Sequence, residues 1–77
     1  MDRALLQRHL MQVRRHIVMG YEHMHRQRAI VREWKSKGWD TALAVQILSS
    51  FEELQAMHIA DRDRLVKELA EAPIRLL

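Results

Sequence analysis

Apolar residues recur every three or four positions along nearly the whole chain, the signature of amphipathic helix. In the first half, Leu10, Ile17, Met24 and Val31 form one seven-residue column. Leu6, Val13, Gly20, Gln27 and Trp34 form the adjacent one. Together they make an a/d-type seam, edged by a third column of His9, His16, His23 and Ile30. In the second half the seam reads Ala44, Phe51, His58 and Leu65, with Ile47, Leu54 and Asp61 on one side and Leu48 and Leu69 on the other. No alternating strand pattern interrupts either half, so the expected fold class is all-α.

The strongest punctuation is "WKSKGWDTA". Gly38 suits the left-handed position just past a helix end. Asp40 suits the N-cap of the next helix, where a carboxylate accepts backbone N–H groups. With Gly38 at C′, Trp34 and Trp39 occupy C3 and C″, which a Schellman turn brings into apolar contact. The two tryptophans are thus explained by the turn rather than by a ligand. Pro73 marks the second stop. The expected single domain, 1–77, has helix 1 at about 2–37, a turn at 38–40, helix 2 at about 41–72 and a short tail at 73–77. Helices of this length reach about 45 Å at 1.5 Å per residue. Joined by a short turn they form an antiparallel hairpin whose wide apolar faces call for a homodimer, an antiparallel four-helix bundle.

Both seams turn polar in their middle. On helix 1 the break is His16, Gly20, His23 and Gln27; on helix 2 it is His58, Asp61 and Arg62. If facing residues add to about 77, as in a hairpin folded at Gly38, Gly20 lies level with Met57 and His58, and His16 with Asp61. Glycine inside a helix costs about 1 kcal/mol relative to alanine. A packing gap at Gly20 that admits His58 would offset that cost. Asp61 could accept a hydrogen bond from His16 and fix its tautomer. The resulting polar layer would set register and oligomeric state at some cost in stability. The alternative is a divalent-metal site, with zinc as the example, on His16, His58 and Asp61, with His23 or a partner-chain residue as fourth ligand. The Glu-x-x-His pairs of di-metal bundles do not occur. Catalysis by His16 and Asp61 lacks an evident nucleophile, oxyanion loop or cofactor motif, so no catalytic residue is assigned. His25 faces away from the seam, and His9 sits near the open end of the hairpin.

Composition sharpens this picture. A chain of 77 residues is a single small domain, and such domains often rely on disulfides, metal or association. With no cysteine, disulfides and thiolate zinc sites drop out. The net charge of +3 is uneven. Residues 1–38 carry nine Lys and Arg against three Asp and Glu; residues 39–77 carry four against seven. The halves can therefore attract each other across the hairpin. Arg14, Arg15, Arg28 and Arg32 lie in a basic stripe on helix 1 that could contact phosphates without reading sequence. Stacking aromatics are missing from that stripe apart from Tyr21, and no helix-turn-helix accompanies it. The first residues lack the apolar core of a signal peptide, and no apolar run approaches the ~20 residues of a membrane span. A cytoplasmic location without membrane partners is the expectation.

Three stretches, "GYEHMHRQ", "KGWDTA" and "FEELQAMHIADRDRL", resemble a family of small uncharacterised helical proteins of alphaproteobacteria, rhizobia among them. The likeness runs from about His16 to Leu69, most of the chain. Members of that family often carry histidine where this chain has Trp39. The resemblance implies a helical hairpin and no established activity, cofactor or catalytic residue. The favoured reading is a non-enzymatic homodimeric interaction or regulatory module with no cofactor, with room for an unidentified protein partner. A metal-binding bundle is the first alternative, and a weak sequence-independent nucleic-acid binder the second.

Overall fold

The seven-residue columns resolve into two long helices in the computed structural model, which describes residues 2–72. α1 spans Arg3–Ser36 and α2 spans Ala42–Glu71. The expected stop at Pro73 and the tail 73–77 lie outside the described residues. The two helices pack along their length as a hairpin. The radius of gyration is 17.8 Å, against about 11–12 Å for a compact chain of this size. Nearly every residue is therefore one side chain away from solvent.

The turn is built by local chemistry. Gly38 has φ +72°, the left-handed region that only glycine enters without strain. The Trp39 N–H donates to the Trp34 carbonyl at 2.9 Å, and the Gly38 N–H to the Lys35 carbonyl at 3.1 Å. These are the two bonds of a Schellman motif, and they satisfy carbonyls that the helix end would leave bare. The Trp34 and Trp39 rings meet edge to face, 6.1 Å between centroids. The Lys37 ammonium sits 4.7 Å from the Trp39 ring centre, a cation–π contact. Asp40 acts one residue earlier than the sequence reading placed it. Thr41 holds the N-cap position, without a side-chain cap bond, while the Asp40 carboxylate accepts the Ala42 N–H at 2.9 Å. Because nothing crowds a Cβ at Gly38, Gly38→Ala tests the backbone conformation alone. It should cost about 1–2 kcal/mol, seen as a melting temperature lower by roughly 4–8 °C per kcal/mol.

Two features of the packing differ from the expectation. First, the register is shifted. The facing pairs Arg3–Leu69, His16–His58, Ile17–Gln55, His23–Phe51 and Gln27–Ala44 add to about 73, not about 77. Residues 39–41 return beside the last turn of α1, with Trp39 against Trp34, before α2 begins. That return takes up about one helical turn, so His16 faces His58 rather than Asp61.

Second, α2 presents a different face. The expected flank Ile47, Leu54 and Asp61 is exposed, Leu54 at 47%. The column beside it, Leu48, Gln55, Arg62 and Leu69, turns inward, with Gln55 only 3% exposed. On α1 the seam matches its heptad: Leu6, Leu10, Ile17, Met24 and Gln27 are buried. Near the open end, Leu6, Leu10 and Leu65 form the main apolar cluster, supported by Val13, Leu69 and Ala72. There Arg3 donates to the Leu69 carbonyl at 2.8 Å, satisfying one of the acceptors at the C-terminal end of α2. Among the described residues, no helix is long and apolar enough to cross a membrane.

Candidate functional site

The middle third of the hairpin is held by glutamines rather than by leucines. Gln55 donates its side-chain N–H to the Ile17 carbonyl of α1 at 2.8 Å. Gln27 reciprocates from α1, donating to the Ala44 carbonyl of α2 at 2.9 Å. Each amide reaches a carbonyl of the opposite helix, so these bonds fix the register of one helix against the other.

Gly20 faces the Gln55 side chain across the seam. A Cβ built there would collide with the Gln55 side-chain oxygen. The missing side chain thus makes room for Gln55, not for His58 as the sequence register suggested. The signal was present in the sequence: seam positions Gly20 and Gln27 on α1 call for a long, thin, polar partner on α2. Gln55 is that residue, but it lay one position outside the seam drawn from apolar spacing. The Gln55 oxygen itself is buried without a hydrogen-bond partner. Such an oxygen is costly, and methionine has a similar unbranched shape without it. Gln55→Met should therefore leave folding stability within about 1 kcal/mol of the parent or raise it. Chemical denaturation with a circular-dichroism readout measures this.

On one flank of this layer lies an open groove of about 400 Å³. Its floor is Gly20 and Gln55; His16 and His58 stand at one end, His23 and Phe51 at the other, and Met19 and Leu54 form the rims. The His16 and His58 rings are 5.0 Å apart, tilted by 55°. His23 stacks on Phe51 at 5.5 Å. Nδ1 of His58 is buried and has no hydrogen-bond partner. The groove lining contains no Asp, Glu, Lys or Arg.

Asp61 does not join this group. It is exposed and pairs with Arg64 at 3.7 Å, because the shifted register carries it past His16 and the rotation of α2 turns it outward. The proposed His16–Asp61 bond is absent from the ion pairs and hydrogen bonds among the described residues. The structure thus brings together His16, His23, His58 and Gly20 of the expected layer, replaces Asp61 with Gln55, and adds Phe51. Among the described residues, no three His, Asp or Glu side chains converge on one point.

The stripe residues Arg14, Arg15, Arg28 and Arg32 are exposed on α1. Arg14 leans toward the opposite flank, lining a second shallow depression with Val18, Arg62, Asp63 and Val66. That flank is charged of both signs, unlike the histidine groove. Comparison of the chain with protein-family models, with curated proteins and with solved structures yields no match.

Proposed function

We propose that the protein is a non-enzymatic interaction module that works as a homodimer, two hairpins packing groove to groove into an antiparallel four-helix bundle. The observation that carries this reading is the apolar rim of a groove lined without Asp, Glu, Lys or Arg. Met19 is 51% exposed and Leu54 47%, on either side of it. Met57, at 63%, extends the apolar surface of α2. Among the described residues no third element covers these side chains, and bundles of four helices solve this problem for chains of this length. The second copy also fits electrostatically. α1 is basic and α2 acidic, so a partner that lays its α2 beside α1 matches charge on both edges of the groove. The glutamine layer supports the same reading, since buried polar groups at a seam select register and partner.

Nothing in the groove has the make-up of a reaction centre: it offers imidazoles and an amide, with no nucleophile placed beside a base. Association should be visible in melting experiments. A dimer that folds on association melts at a temperature that rises with protein concentration. A melting temperature that stays constant over a hundredfold range of concentration, at full helicity, would remove the homodimer.

A further inference from the structure

We propose that His16 and His58 are half of a divalent-cation site of the zinc class, which a second copy of the chain completes. This rests on the homodimer proposed above. Zinc binds imidazole nitrogen at about 2.0–2.1 Å, and at the tetrahedral angle this holds two ring centroids roughly 5 Å apart. The His16 and His58 centroids are 5.0 Å apart, and their planes are tilted by 55° rather than stacked. The two rings already stand at the spacing of two ligands on one ion.

Nδ1 of His58 is buried and unpartnered. A ligating histidine ordinarily has both nitrogens engaged, one by metal and one by a hydrogen bond. In the hairpin alone His58 Nδ1 has neither, and a cation held between the rings would take up that nitrogen.

A second copy of the chain must supply the remaining ligands. Among the described residues, no third His, Asp or Glu joins the pair, and two imidazoles make half of a tetrahedral set. The pair stands at one end of the groove that the homodimer would close, and His16 is exposed there. A twofold axis passing beside the pair would bring the same two histidines from the other chain. The stoichiometry is then one ion per two chains, and metal binding and association reinforce each other.

The test is a titration of chelator-treated full-length protein with Co²⁺, followed by displacement with Zn²⁺, with sedimentation run in parallel in chelator and in zinc. The expected result is the absorption of tetrahedral cobalt saturating at about half an ion per chain. Affinity should fall at least tenfold in His16→Ala and be unchanged in His25→Ala, an exposed histidine outside the groove. His16 is itself exposed, so its alanine variant keeps the helical fold, which circular dichroism verifies. A monomer in chelator that pairs when zinc is added also supports the site. A dimer in chelator that gives no cobalt spectrum overturns the site and leaves the dimer standing, as does binding that His16→Ala does not weaken. A monomer under both conditions overturns both.

Discussion

Leu65→Ala is expected to lower stability by about 2–5 kcal/mol, the usual cost of removing a fully buried leucine from a packed cluster. Leu65 is 2% exposed and packs against Leu6 and Leu10, which are themselves 2% and 7% exposed. Few of the described residues are like it; the buried apolar set among them is Leu6, Leu10, Ile17, Met24, Ala44 and Leu65. Small domains have only about 0.05–0.15 kcal/mol of stability per residue. For 77 residues that is roughly 4–12 kcal/mol, so the variant should lose a large share of its stability and melt well below the parent. Leu43→Ala is the control. Leu43 lies on the same helix and is 63% exposed, so its replacement should change stability by less than about 0.5 kcal/mol. Thermal unfolding of the two variants side by side gives the comparison. Equal effects would mean that the buried cluster at the open end does not hold the hairpin together.

Leu54→Asp is expected to separate folding from association. Within one hairpin Leu54 is a surface residue, 47% exposed at the rim of the groove, so an aspartate there costs little beyond helix propensity, about 0.5 kcal/mol. In a dimer that closes the groove, the same aspartate is buried without a partner, and each unpaired buried charge is costly. The dissociation constant should rise at least 100-fold, equivalent to roughly 2.7 kcal/mol, while helicity at high concentration is kept. A variant that associates as well as the parent would show that the groove is not the contact surface.

How much of this was legible in the sequence depends on the range of the forces involved. The all-α hairpin follows from local rules: a sustained helical period, and a glycine with flanking tryptophans whose hydrogen-bond pattern is closed within six residues. The face of α2 was less legible. Ile47 and Leu54 look like core by hydropathy, and Gln55 looks like surface. The structure reverses them because packing is decided by the partner: Gly20 leaves a slot that an unbranched amide fills, and the Ile17 carbonyl receives its N–H. The register slipped for a related reason. The number of residues spent in the turn depends on how Trp39 returns along α1, which no periodicity records. An error of one turn was enough to exchange Asp61 for His58 as the neighbour of His16. Sites assembled from two helices are sensitive to such offsets, whereas the elements themselves are not.

In the proposed homodimer a second copy of the chain covers the groove between Met19 and Leu54. Sedimentation equilibrium of the full chain at micromolar concentration tests it most directly. The expected result is a mass twice the 9.2 kDa of one chain, dissociating on dilution. A single species of 9.2 kDa, fully helical across the concentration range in chelator and in zinc alike, would contradict it.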